Sequence, residues 1–381
     1  MDMDTLEYRD GYEYLDMLRR QNKKQTQSFS DFSGYLEAKA RQQGIPVRGQ
    51  FELTPLCNLN CVMCYVHLNT AQQPLLTVEQ WKGLMRQAYD AGMYTATLTG
   101  GECLTYPGFD ELYLYLQSLG CMVDVLTNAV LLNEDRIRFF RNHPPASIQI
   151  TLYGATEDAY ERVTGRRVCQ TVVENIRRVK DAKLPLIISV TPSKTLGEDI
   201  FDTIRLAHSL TKNVFVNTSL FTPWESTGRT GVEEEPDAEF YARILRLHKE
   251  LCGIDVKECA ESLLPPSGGE CADCEARGLS CGGGRSGFVI NWKGEMLICN
   301  RMKPKGFPLR DGIAAAWEHI HKAAENWPRA AVCRGCAYES SCGICAAEAL
   351  KYAPSREKPE ALCQRTRYLA SRGVLNIPLC D

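Results

Sequence analysis

Cys57-Asn-Leu-Asn-Cys61-Val-Met-Cys64 places three thiols at spacings of four and three residues. It follows directly on Phe51-Glu-Leu-Thr-Pro55, an alternating run that predicts a strand ending at Pro55. A loop at the C-terminal end of a strand can fold three thiols around one face of an iron–sulfur cube. Thiolate is the ligand such clusters take, normally four to a [4Fe–4S] cube. Three ligands leave one iron open, where a small molecule can coordinate. A structural zinc site or three unpaired core cysteines are the competing readings. Zinc ordinarily takes four ligands, usually as two thiol pairs, and this stretch supplies three.

The chain of 381 residues is long enough for one large α/β domain and a smaller one. Hydrophobic residues make up 44% and the net charge is −3, without the basic patch that marks a nucleic-acid binder. No apolar run approaches the ~20 residues of a membrane helix. The start, Met1-Asp-Met-Asp-Thr-Leu-Glu7, is acidic and lacks a signal peptide's basic-then-apolar order, which predicts a cytoplasmic protein. Thiols stay reduced there, so eighteen cysteines point to metal rather than disulfides. Between Cys64 and Cys252 there are only Cys103, Cys121 and Cys169, whereas twelve cysteines run from Cys252 onward. Two metal regions at opposite ends of the chain are the simplest account.

From residue 47 a strand-then-helix rhythm sets in. Strands are predicted at Val47–Leu53, Thr95–Thr99, Met122–Thr127, Ile148–Leu152, Leu186–Thr191 and Asn213–Leu220. Helices fall between them, one over Thr77–Gly92 with Thr77 as N-cap and one over Thr171–Lys183. Strands alternating with helices argue for a parallel sheet, and six units make a partial (β/α)6 TIM-like barrel. Sites in such folds lie at the C-terminal strand ends. Four regions follow. Residues 1–45 form a partly helical extension in which Leu6, Tyr14, Leu15 and Leu18 share a face, and residues 46–235 form the barrel. Residues 236–268 hold a bridging helix, Asp237–Cys252, and a linker, and residues 269–381 form a cysteine-rich, loop-rich domain.

The C-x3-C-x2-C stretch resembles the signature of the radical S-adenosylmethionine (SAM) enzymes, with Met63 where that family is often aromatic. The resemblance implies one [4Fe–4S] cluster on Cys57, Cys61 and Cys64 with SAM on its open iron. Three further stretches extend the likeness. Gly100, Gly101 and Glu102 resemble the family's Gly-Gly-Glu, with Glu102 as acceptor for the cofactor's ammonium group. Thr127-Asn128 resembles the pair near the ribose, and Thr151 opens a segment whose hydroxyl helps hold cofactor. Read alone, each is an ordinary polar strand terminus or turn. The family's arginine at the cofactor carboxylate has Arg166, Arg167 and Arg177 as candidates.

The C-terminal pattern is Cys281-x12-Gly294-x4-Cys299, then Cys333-x2-Cys336-x5-Cys342-x2-Cys345, then Cys363 after seventeen more. It resembles the SPASM domain, an extension of radical enzymes that holds two auxiliary [4Fe–4S] clusters. The resemblance implies one cluster on Cys274, Cys281, Cys299 and Cys345, with Cys271 the alternative first ligand, and an outer one on Cys333, Cys336, Cys342 and Cys363. A double zinc ribbon shares the paired spacing but leaves the upstream motifs unexplained. The remaining cysteines read as buried thiols, with Cys103 notable for its place after Glu102.

SPASM-bearing enzymes mostly act on peptides or proteins, so the resemblance implies radical modification of a ribosomally made peptide. The bond formed would be a thioether or C–C crosslink, and the electron would come from a low-potential donor such as flavodoxin or ferredoxin. In sulfatase-type formylglycine maturases an Asp follows the cysteine of the Gly-x4-Cys element. Here it is Asn300, whose amide has no basic lone pair. That class ranks lower, as do action on a small molecule such as a tetrapyrrole and a non-enzymatic zinc-binding module. Nucleic acid and membrane are not expected partners, and no residue reads as the catalytic acid or base.

Overall fold

The computed structural model describes residues 29–66, 75–218, 233–256, 278–279, 281–302 and 306–327. In the C-terminal part it describes residues 333, 336, 338, 342, 345–352 and 358–375. The face proposed for Leu6 to Leu18, the linker, and Cys271 and Cys274 lie outside the described residues.

Six parallel strands and their helices carry the barrel: β1 (Arg48–Glu52), β2 (Thr95–Thr99), β3 (Met122–Thr127), β4 (Ser147–Leu152), β5 (Leu186–Val190) and β6 (Val214–Val216). A helix α1 (Phe29–Gln43) precedes β1. Between the strands lie α2 (Val78–Asp90), α3 (Phe109–Ser118), α4 (Glu134–Asn142), α5 (Glu157–Thr164), α6 (Cys169–Asp181) and α7 (Asp199–Leu210). The partial TIM-like architecture expected from the strand–helix rhythm is therefore present. The sixth strand is shorter than its apolar run, and residues 219 and 220 lie outside the described residues.

Local chemistry sets the helix ends. Thr77 accepts from the Gln80 amide at 3.3 Å while the Gln80 side chain accepts from the Thr77 amide at 2.9 Å, a reciprocal cap. Helix α6 begins two residues ahead of Thr171. The Glu157 carboxylate of α5 accepts from the amides of Cys169 and Gln170 at 3.1 and 2.8 Å. That cap is tertiary, so no local pattern announces it.

The sheet does not end at β1. Its order is β6-β5-β4-β3-β2-β1-β7-β8-β9. Strand β7 (Gly287–Ile290) pairs parallel to β1, and β8 (Glu295–Leu297) and β9 (Phe307–Pro308) follow antiparallel. The segment expected to be loop-rich thus adds three short strands to the barrel's own sheet. Helix α8 (Ala238–Leu251), capped by Asp237, returns from the barrel, and α9 (Gly312–Glu325), α10 (Ala346–Tyr352) and α11 (Glu360–Ser371) complete the described helices.

Strand alternation separates two faces. Phe51, Leu98, Val125, Ile150 and Ile188 are fully buried, and Phe51 meets Trp81 of α2 edge-on at 6.1 Å, so this face packs on the helices. The alternate positions Gln50, Thr97, Asp124, Gln149 and Thr151 are polar and half-buried. A closed eight-strand barrel fills its interior with branched apolar side chains. A polar inner face marks a wall built to meet a ligand.

Between barrel and C-terminal helices lies a buried charge network. Glu235 accepts from Lys351 at 2.8 Å and from Tyr352 and Arg365, and Arg365 also donates to Glu348 at 2.6 Å. Burial alone would raise Glu235, but Lys351, Tyr352 and Arg365 hold it below the usual carboxylate range. Glu348 stays raised by burial. Replacing Glu235 by Ala takes the carboxylate from buried Lys351 and leaves Arg365 with Glu348 alone, and the expected loss is about 3–5 kcal/mol in denaturant unfolding. Arg205→Ala, at an exposed ion pair with Asp202, should cost at most ~1 kcal/mol. Equal losses would contradict the network's role.

Candidate active site

The cysteine loop leaves β1 at its C-terminal end, where the spacing predicts it. Its backbone is tied to the end of α5, with Asn60 N–H to Thr164 O at 2.8 Å and Val62 N–H to Val163 O at 2.9 Å. Leu59, Cys61, Met63 and Val66 turn inward and are buried. Met63 therefore fills the core position at which an aromatic ring is frequent. Burial pushes the Cys57 thiol up to about 11 and the Cys61 thiol higher still, each raised further by neighbouring thiol groups. One buried and two half-buried thiols in mutual electrostatic reach gain most when a cation takes the place of their protons. Three thiol donors on one loop fit a cluster with one iron left open, whereas a structural zinc site takes a fourth ligand.

Gly100 and Gly101 sit where the backbone makes a close approach. A Cβ on Gly100, whose φ is +143°, would stand 2.5 Å from Thr54 O, and one on Gly101 would stand 2.4 Å from Leu56 O. Their backbone is pressed against the segment that launches the cysteine loop, with Gly101 N–H to Thr54 O at 2.7 Å and Glu102 N–H to Leu56 O at 2.9 Å. The close approach is to the protein's own chain.

Glu102 is 1% exposed and binds the strand ends together. It accepts from Leu104 N–H at 3.1 Å, Thr127 Oγ1 at 2.9 Å and Asn128 N–H at 2.7 Å. Burial raises its pKa, and these donors oppose the rise. Leu104, Thr127 and a weaker Cys103 thiol contact at 3.8 Å all fall on Oε1, whereas Oε2 accepts from Asn128 N–H, so the free lone pair for a further donor such as an ammonium group is on Oε2. Asn128 reaches on to the loop, donating to Asn58 Oδ1 at 2.6 Å and approaching Cys57 Sγ at 3.6 Å. Thr127 and Asn128 thus face Glu102 and Cys57, while Thr151 is half-buried on the polar inner face. Among the candidate arginines, Arg167 is committed at the surface to Asp158 and Glu161. Cys103 is fully buried, donates to Leu126 O at 3.2 Å and is held protonated by burial, which makes it a packed thiol.

Two features escaped the sequence reading. Tyr153, two residues beyond Thr151, lies beside the Cys61 thiol and packs edge-on to Tyr160 at 6.0 Å. The second is a relay: Asn300 Nδ2 donates to Tyr65 Oη at 3.3 Å, and Tyr65 donates to Glu52 Oε1 at 2.8 Å. Glu52 is 1% exposed, and burial lifts its pKa to about 7 despite the Tyr65 hydrogen bond. Tyr65 follows Cys64 and Asn300 follows Cys299, so the relay joins the two cysteine regions.

The described C-terminal cysteines fall into two groups. Cys299 lies within electrostatic reach of Cys345 and Cys281. Cys363 lies within reach of Cys333 and Cys342. Cys336 and Cys342 pack together against Tyr338 and Ala370. Cys274 lies outside the described residues.

Residues 51–207 match the model of the radical SAM superfamily. Those residues carry a radical SAM domain. The sporulation killing factor maturation protein SkfB of Bacillus subtilis (strain 168) is 26% identical over 161 residues, 42% of this chain and 39% of that protein. The antilisterial bacteriocin subtilosin biosynthesis protein AlbA of the same organism is 23% identical over 315 residues, 81% of this chain and 67% of that one. The chain spans well under half of SkfB and two thirds of AlbA. In fold it resembles Streptococcus suis SuiB bound to its precursor peptide SuiA, at a TM-score of 0.65 and 16% identity, covering 94% of this chain and 89% of SuiB. It also resembles anSMEcpe with bound AdoMet, at a TM-score of 0.60 and 14% identity, covering 86% and 96%. No described helix is long and apolar enough to cross a membrane.

Glu52 supplies a pH test. Its folded pKa of about 7 lies above the ordinary 4.5, so the native state keeps a proton that the unfolded chain releases. Below pH 4.5 both states are protonated and nothing is lost; as pH rises from 4.5 to 7 the native state loses stability, then levels off. Glu52→Gln should therefore gain on the wild type across that window, by on the order of 3 kcal/mol at most. Denaturation midpoints of both proteins at pH 5 and pH 8 check this, and a pH-independent difference would contradict it.

Proposed function

We propose that the chain is a radical SAM oxidoreductase that modifies a ribosomally made peptide, closing a thioether or C–C crosslink. On this reading residues 1–45 form an N-terminal extension, residues 46–235 the catalytic barrel, residues 236–268 the bridge, and residues 269–381 a SPASM domain. Cys57, Cys61 and Cys64 hold the first cluster. Cys281, Cys299 and Cys345 with Cys274 hold one auxiliary cluster, and Cys333, Cys336, Cys342 and Cys363 hold the other. The observation that carries the reading is the division of the C-terminal thiols into two groups beside a domain already committed to one cluster. Bound SAM supplies, on reductive cleavage, a 5′-deoxyadenosyl radical able to abstract an unactivated hydrogen.

The chain's own residues prepare the setting. Glu102 offers a lone pair for the cofactor's ammonium group, and Thr127, Asn128 and Thr151 stand at adjacent strand ends. Tyr153 buttresses the Cys61 side of the loop. The polar inner wall of Gln50, Thr97 and Gln149 offers hydrogen bonds that a peptide backbone can use. Crosslinking would remove two hydrogens from the peptide, one as an atom and the other as a proton and an electron, and a cluster held by the C-terminal cysteines would supply the acceptor for that electron. Flavodoxin or ferredoxin is the class of low-potential donor that would start each turnover.

Two relatives are peptide cyclases by name, one of them the PqqA peptide cyclase of Streptomyces rochei, 30% identical over 148 residues, 39% of this chain and 41% of that one. Formylglycine formation ranks lower, because Asn300 is a donor within the Tyr65–Glu52 relay and cannot serve as a base. The test is incubation of the loaded enzyme with SAM, reductant and the precursor peptide encoded beside it. The account predicts 5′-deoxyadenosine together with peptide lighter by two hydrogens. 5′-Deoxyadenosine with peptide of unchanged mass would refute crosslinking.

A further inference from the structure

His208 lies in the last turn of α7 and His248 in the last turn of α8. Their rings meet with His208 Nε2 3.0 Å from His248 Nδ1. One turn beyond His248 stands Cys252, the residue that caps α8. Positions i and i+4 share a helix face, which brings its sulfur to the same point, and the three ligand atoms all lie within 4.8 Å of one another. Both imidazoles are half-buried and the cysteine is exposed.

A hydrogen bond between two neutral imidazoles would satisfy the histidines by themselves. It gives no reason for a thiol to complete the triangle. Two imidazole nitrogens and one thiolate are a donor set for borderline divalent ions, with Zn–N at about 2.0–2.1 Å and Zn–S at about 2.3 Å. The ends of the helices add to this. Each α-helix C-terminus carries partial negative charge from its last carbonyls, and α7 and α8 both end at the trio.

We propose that His208, His248 and Cys252 form a zinc site, separate from the cysteine motifs, with its fourth position open to water. The ion would join the C-terminal ends of α7 and α8. Helix α8 is also the one against which α11, the bearer of Cys363, packs through Tyr241, Ala242 and Leu369. The site therefore stitches the last barrel helix to the element that supports the C-terminal cysteines.

The test uses the full chain with its iron–sulfur clusters reconstituted anaerobically, equilibrated with zinc chloride and then passed through a moderate chelator. Zinc and iron are counted for wild type, His248→Ala and Cys252→Ser. Cys252 is exposed, so its serine variant keeps the fold, and unchanged iron verifies this. The expected result is about one zinc per wild-type chain, lost in both variants at unchanged iron, with a zinc-edge absorption spectrum showing two nitrogens and one sulfur. Equal zinc in wild type and variants, no retained zinc in the wild type, or an all-sulfur shell would overturn the proposal.

Discussion

One buried carboxylate gathers the site. Glu102 accepts from Leu104, Thr127 and Asn128 at once, so the ends of β2 and β3 cannot separate without leaving unpaired donors in a place water does not reach. Asn128 carries the constraint to Asn58 and Cys57. Gly100 and Gly101 bring the same backbone against Thr54 and Leu56. The cysteine loop is thus held from three directions before any metal arrives. That matters because burial makes Cys57 and Cys61 resist ionisation, and a bound cation makes the convergence of the thiols favourable.

The sheet divides the remaining work. Its outer face is apolar and fully buried under helices, which supplies the stability; its inner face is polar and half-buried, which supplies the chemistry. The addition of β7 to β1 brings the segment bearing Cys299 and Asn300 alongside the segment bearing Cys64 and Tyr65. The Asn300–Tyr65–Glu52 relay is the polar consequence of that pairing.

Much of this was readable in the residues. The six barrel strands follow from apolar alternation, α2 from its Thr77–Gln80 cap, and the loop from three cysteines after a strand. What stayed hidden has a common cause, dependence on a partner remote in sequence. The early start of α6 needs Glu157, and β7 is four residues long and becomes a strand only by pairing with β1. Glu52 reads as one polar residue in an alternating strand until burial and Tyr65 raise its pKa. Gly100 and Gly101 signal a close approach in any reading, but only the fold shows that they approach Thr54 and Leu56. His208 and His248 are forty residues apart, too far for any motif to join them.

The central claim is that this chain pairs a radical SAM cluster with two auxiliary clusters. Iron and sulfide content of anaerobically purified protein, beside a variant with Cys57, Cys61 and Cys64 all changed to Ala, tests it most directly. The account predicts about twelve irons per chain falling to about eight, at four irons per cube. About eight falling to about four, iron unchanged by the triple substitution, or zinc in place of iron would contradict it.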